Sequence, residues 1–318
     1  MPFRITRRLV LSSGVPTASR SIEPTRPGDA ALLVVAAMSI ALASPLAKAV
    51  VGLGPLGVGA GRCAVGSALL FLLAPRLTLR SLATLTPKGA SQLAVVGVLL
   101  AAHFACFLWG LSLTSLPAAV SLVSLEPLAV VLLSWFAFRM RPRGLEMVGL
   151  AVAVAGALVI AQGAGHGENR LIGDVLVVFA VVLYGAYVAA ARGLQHLLPV
   201  VPYAAAVYGV AAISLVPFAI GEAGGVPHPP ARTLLLVVLM GLLPTLVGHT
   251  LIQRLARRLS PSVVALVPVG ETVGSIAIGV AFQGFVPTAA EWVGALAILG
   301  GAVVVSRANV SARAEAKG

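Results

Sequence analysis

Glu146-Met147-Val148-Gly149-Leu150-Ala151-Val152-Ala153-Val154-Ala155-Gly156-Ala157-Leu158-Val159-Ile160 is the stretch that decides the fold. From Val148 onward every residue is apolar or glycine, with no polar position alternating between them. A run of this kind reads as a helix apolar all round, whereas the strands of a membrane barrel alternate. Leu234 to Leu243 reads the same way. Cutting the chain at charged or Pro/Gly-rich breaks leaves about ten such stretches, each near the ~20 residues that a helix needs to cross the hydrocarbon core. They fall near 30–50, 55–74, 90–111, 117–137, 145–163, 174–191, 203–221, 233–252, 261–282 and 290–306. The loops between them are short. The expected fold class is therefore an all-α polytopic membrane protein, a single bundle of ten transmembrane helices.

The deciding stretch also recurs. Glu146-Met147-Val148-Gly149 matches Glu291-Trp292-Val293-Gly294, and Gly156-Ala157 matches Gly301-Ala302, both at an offset of 145. Gly28-Asp29 matches Gly173-Asp174 at the same offset. Pro117 and Ala137-Phe138 match Pro261 and Ala281-Phe282 at 144, one residue being lost in a loop. The chain reads as two copies of a five-span unit, 29–163 and 173–306. Five is odd, so the second copy enters the membrane upside down, which gives the inverted repeat common in secondary transporters.

Composition agrees. Of 318 residues 59% are hydrophobic and 10% charged, and the mean hydropathy is +1.02. A soluble domain carries roughly 25% charged residues. The net charge of +12 is not a nucleic-acid footprint, because there is no polar folded surface to carry it. It is an orientation signal. With the N-terminus inside, every Lys and Arg except Lys48, Arg62, Arg170 and Arg232 falls on the cytoplasmic side. Residues 1–28 and 307–318 are expected to be cytoplasmic tails, the first disordered for its Ser, Pro, Thr and Arg content. Cys63 and Cys106 sit in apolar runs and read as small fillers. The five histidines are scattered along the chain, so neither a metal centre nor a catalytic constellation is expected, and the chain reads as a non-enzyme without cofactors.

The Asp29 to Arg62 stretch with Ser44-Pro45-Leu46-Ala47-Lys48, the run Ser121-Leu122-Val123-Ser124-Leu125-Glu126-Pro127, and the paired Glu-x-Val-Gly…Gly-Ala ends resemble the drug/metabolite transporter superfamily. Within it the chain is similar to EamA-type exporters of ten helices, among them the threonine/homoserine exporter-like subgroup. The resemblance covers about 30–306. It implies an inner-membrane carrier of small molecules. It departs where family members carry a Gly-Glu pair at the ends of the fourth and ninth helices; here those ends read Phe138-Arg139 and Phe282-Gln283.

Ionisable groups in hydrocarbon cost roughly 2.5–3.5 kcal/mol each on insertion scales and so face a cavity or a partner. Arg62 lies ~10 Å in from the outer end of its stretch at ~1.5 Å per residue, with His103 and Glu126 at comparable depth. The expectation is one outward-reaching cavity. There Arg62 holds a substrate carboxylate and Glu126 an amine or a coupling proton. The structural alternative is an Arg62–Glu126 ion pair, with His103 bonded to a backbone carbonyl. Glu271 lies ten residues after Pro261 and Glu126 nine after Pro117, so the repeat-related helices each carry a central acid, displaced by one position, and midplane sites lie between repeats. Tyr184, Tyr187 and Trp109 are candidates to stack on or bond a substrate, with core packing as their alternative. Asp29, Asp174, Glu146 and Glu291 open their spans, where an acid complements the helix dipole. Of the prolines inside spans (Pro45, Pro127, Pro217, Pro244, Pro268), Pro127 and Pro268 stand beside acids.

The function read from the sequence is export of a small metabolite, an amino acid or related zwitterion, by alternating access. A drug or nucleoside/sugar-type carrier of the same fold is the alternative. A membrane-embedded enzyme and a non-transporting membrane protein are further rivals. The expected partners are a small-molecule substrate, the lipid bilayer and a coupling proton, with no nucleic acid. A monomer and a homodimer both remain open.

Overall fold

A computed structural model describes residues 27–126, 128–129, 144–162, 170–194, 197–256 and 266–315. The N-terminal tail, Pro127, Arg139, Arg141, Arg143, His166, His196, Arg257, Arg258, Pro261 and Lys317 lie outside the described residues, as do the side chains of Glu146, Arg192, Arg307 and Arg313. The described residues form helices and connecting turns, with no strand among them.

Helix boundaries follow proline and hydroxyl signals. Helix α1 (Pro27–Ala41) bends at Leu42 into α2 (Ala43–Lys48). Pro45 has no N–H to give the Ala41 carbonyl four residues back; the Ser275 hydroxyl donates to that carbonyl instead, at 2.7 Å. Helix α3 (Pro55–Leu73) is followed by the short α4 (Pro75–Ala83) and by α5 (Pro87–Leu113). All three begin on proline, whose missing donor costs nothing in a first turn. Thr86 caps α5 by accepting from Gly89 N at 3.1 Å, and Ser115 caps α6 (Leu116–Val123) by accepting from Ala118 N at 3.1 Å. Helix α7 (Gly144–Gln162), α8 (Leu171–Leu194) and α9 (Val200–Ala223) follow. Next come α10 (Ala231–Met240), a π-helical segment (Gly241–His249) and α11 (Thr250–Ala256), then α12 (Leu266–Gln283) and α13 (Ala289–Glu315).

Six helical stretches are long and apolar enough to cross a membrane: 31–48, 55–73, 87–113, 171–188, 200–223 and 231–255. Met147–Ile160 and Ala289–Val304 are shorter apolar helices. Three features differ from the sequence expectation. The first predicted span is divided at Leu42, and the predicted helix over 117–137 is interrupted at Ser124 and Leu125, where the backbone turns before Glu126. Helix α4 was not foreseen, because nine residues with Arg76 and Arg80 carry too little apolar signal to separate from a loop.

The pairings of helices place the core. Helix α3 packs on α9, α5 on α8 and α9, α7 on α13, and α1 on α12 and the π segment. At the α7/α13 crossing a methyl on Gly156 would stand 2.7 Å from the Gly294 carbonyl oxygen, and one on Gly301 would stand 2.5 Å from that of Gly149. As α7 advances from Gly149 to Gly156, its contact on α13 retreats from Gly301 to Gly294, so the helices run antiparallel. These four glycines are the repeat-matched ones, and the two contacts exchange with each other under the offset of 145. Helices α3 and α9 are likewise antiparallel, Gly59 meeting Leu215 and Gly66 meeting Tyr208.

Candidate functional site

The site is built around a cation. Arg62 occupies the eighth position of α3 and is 1% exposed. Its side chain lies on the face of α3 that carries Gly59 and Gly66, whose lack of side chains lets α9 come close. The guanidinium Nε donates to Thr245 Oγ1 at 3.0 Å, and Cζ stands 4.3 Å over the Phe104 ring centroid. A cation over an aromatic face is attracted by the ring quadrupole, more so when desolvated. The guanidinium Nη2 has no hydrogen-bond partner. A buried charged donor left unpaired is expensive, and that cost marks the place where a ligand atom is wanted.

Pro244 explains why Thr245 is there. Without an N–H it cannot satisfy the Met240 carbonyl, and the chain widens into the π-helix Gly241–His249 around it. The Thr245 hydroxyl then donates to Met240 O at 3.0 Å and accepts from Arg62 with a lone pair. Tyr208 braces the same segment, its hydroxyl 3.4 Å from Thr245 O and from Thr250 Oγ1.

Rings surround Arg62. His103 is buried in α5 and its Nδ1 donates to the Ala180 carbonyl of α8 at 2.9 Å. Its ring centroid lies 5.1 Å from that of Phe104, 6.1 Å from Phe107 and 5.0 Å from Tyr184. Tyr184 lies 5.7 Å from Tyr187, whose hydroxyl accepts from Gln253 Nε2 at 2.5 Å. His249 packs edge-on against Phe104 at 5.7 Å and lies 6.2 Å from Tyr184.

The acids stand opposite. Glu271 of α12 is 8% exposed, and Glu126 is partly buried just beyond α6. Between them the two helices are joined by Ser124 Oγ and Thr272 Oγ1 at 2.5 Å, with Thr272 also donating to Val120 O at 2.7 Å. Glu271 lies within electrostatic reach of Arg62, and Glu126 within reach of Glu271. Among the described residues, neither acid forms an ion pair or hydrogen bond with Arg62.

Arg62, His103, Glu126, Glu271, Tyr184 and Tyr187 thus come together from α3, α5, α8, α12 and the end of α6. Trp109 does not join them: it is 49% exposed, about 240° around α5 from His103 at ~100° per residue. His103 makes the backbone bond that the structural alternative foresaw. His249, Thr245, Gln253 and Tyr208 belong to the region and were missed. His249 carried the same signal that singled out His103, an ionisable group within an apolar stretch.

Of the acids expected to open helices, Glu291 caps its own helix and Asp174 bonds a neighbouring segment. Thr288 and Glu291 form a capping box: Thr288 N donates to Glu291 Oε2 at 2.7 Å and Glu291 N to Thr288 Oγ1 at 3.2 Å. The Ser115 hydroxyl donates to Glu291 as well. Asp174 accepts from Thr114 Oγ1 at 2.6 Å.

Comparison with known proteins agrees with the fold. A crystal structure is similar over 88% of this chain and 96% of its own, with a TM-score of 0.62 at 21% identity. The EamA-like transporter family matches twice, over 29–162 and 171–307. With apolar helices that cross a membrane several times and both halves matched by a family of small-molecule membrane transporters, the chain belongs to the EamA-like transporter family.

Proposed function

We propose that this protein is a secondary transporter that exports an amino acid or a related zwitterion across the inner membrane by alternating access, with both termini in the cytoplasm. Its ten membrane helices form two five-helix repeats, 29–163 and 173–306, inserted in opposite senses. The observation that carries the reading is Arg62: a buried guanidinium with one nitrogen unpartnered, with the Glu271 carboxylate within its electrostatic reach and Glu126 within reach of Glu271. Arg62 holds the substrate carboxylate and Glu126 or Glu271 receives the amine or a coupling proton, while His103, Tyr184 and Tyr187 line the site. The antiparallel crossings of α7 with α13 and of α3 with α9, both between repeat-related helices, support inverted insertion and with it alternating access. A second reading, a carrier of flat organic solutes such as drugs or nucleosides, is favoured by the rings around Arg62.

The test is counterflow of a labelled panel in proteoliposomes, with amino acids, nucleosides, sugars and cationic drugs as members. At least one amino acid is expected to move in the wild type, Arg62→Ala to abolish its movement and Glu126→Gln and Glu271→Gln to reduce it. Normal counterflow by folded Arg62→Ala protein overturns the proposed site, and movement of nucleosides or drugs alone favours the second reading.

A further inference from the structure

His249 is absent from every expectation above, yet it sits in the same cluster. It is 9% exposed, and among the described residues neither ring nitrogen has a hydrogen-bond partner. His103 by contrast is tied to Ala180 O. The two histidines lie 146 residues apart, one more than the offset that relates the repeats at Gly28/Gly173 and Glu146/Glu291. Helix α5 is regular through His103, whereas His249 closes a π-helix. Against the nearer matched pair, Pro117 and Pro261 at 144, the excess is two, so the histidines occupy neighbouring rather than matched places in the repeats. Both imidazoles pack against the Phe104 and Tyr184 rings. Arg62 also lies within electrostatic reach of His249.

We infer that His249 is a further ligand-binding side chain of the proposed site, bonding the same anionic oxygen group that the free Arg62 nitrogen engages. The ligand class is a small solute bearing a carboxylate. The inference rests on the amino-acid reading above. Three features of the structure support it. His249 is a buried polar ring with no bond of its own, it shares the Phe104 ring with a buried cation that has an unpartnered nitrogen, and a distorted membrane helix delivers both His249 and the Thr245 hydroxyl that holds Arg62. A ring kept only for packing would be served as well by phenylalanine.

The experiment measures concentration dependence of counterflow for the amino acid that the wild type carries, in wild type, His249→Phe and His103→Phe, alongside thermal melting of each without solute. His249→Phe is expected to raise the half-saturating concentration ten- to a hundredfold, the range for a lost bond to a charged group, and to leave the melting temperature unchanged or higher. His103→Phe is expected to lower the melting temperature, since it strips a partner from Ala180 O. A half-saturating concentration within twofold of wild type in His249→Phe overturns the inference and leaves the transporter reading standing. Equal loss of melting temperature in both variants overturns it in favour of a structural role. If the wild type carries no amino acid, the zwitterion reading fails and the inference falls with it.

Discussion

Two neighbouring glycines in α13 should respond to the same substitution in opposite directions. Gly301→Ala adds a methyl 2.5 Å from the Gly149 carbonyl oxygen and 2.9 Å from both the Cβ and the N of Ala153. Non-bonded carbons rest at about 3.5–4.0 Å, so α7 and α13 must part by roughly 0.5–1 Å, which forfeits a quarter to a half of the attraction along the seam. Overpacking of this kind costs about 1–3 kcal/mol. Gly300 has nothing within 4 Å of an added methyl, so Gly300→Ala gains only helix propensity, about 0.8–1.0 kcal/mol. The propensity gain is common to both variants, so they should differ by the overpacking cost, roughly 1–3 kcal/mol. Fluorescence-detected size exclusion after heating in detergent reads this directly: Gly301→Ala should melt several degrees below wild type and Gly300→Ala at or above it. Gly156→Ala, whose methyl meets the Gly294 oxygen at 2.7 Å, should follow Gly301→Ala. If Gly300→Ala and Gly301→Ala shift together, or Gly301→Ala does not melt earlier, the backbone-to-backbone crossing is wrong.

Glu291→Ala removes the acceptor of Thr288 N and of the Ser115 hydroxyl, so it should cost about 0.5–2 kcal/mol in thermal melting while half-saturation of counterflow stays put. A membrane-permeable maleimide should label the partly exposed Cys106 well before Cys63, which is fully buried; mass mapping that finds Cys63 labelled first would contradict the α3 packing.

Position along each span was legible in the sequence, and direction around it was not. Apolar windows located α3, α5, α7, α8 and α9 to within a few residues because the length of a membrane helix is set by the hydrocarbon it crosses. The structure runs beyond those windows to prolines and capping hydroxyls, which hydropathy does not weigh. The capping acids were legible because a helix end demands them. Trp109 was grouped with Tyr184 and Tyr187 as a ring within a span, and in a helix apolar on every face no moment indicates which side faces the core. The partner of Arg62 could not be read either. Thr245 reaches it through the π-helix around Pro244, and a proline inside a span marks a distortion without saying which side chain it delivers. The break at Ser124 and Leu125 stands just before Glu126-Pro127, a proline that the sequence reading took for a kink inside one span.

The α7/α13 seam has one more consequence. This crossing rests mainly backbone on backbone, with Ile160 the side chain seated against a glycine, Gly294, so one helix can roll over the other with few rotamer changes. At the α3/α9 crossing the side chains of Tyr208 and Leu215 are seated in the notches left by Gly66 and Gly59, and sliding there would have to unseat them. The first contact is a bearing and the second a latch. Relative motion of the two halves is therefore expected to pivot about the bearing and to be held in check by the latch beside Arg62.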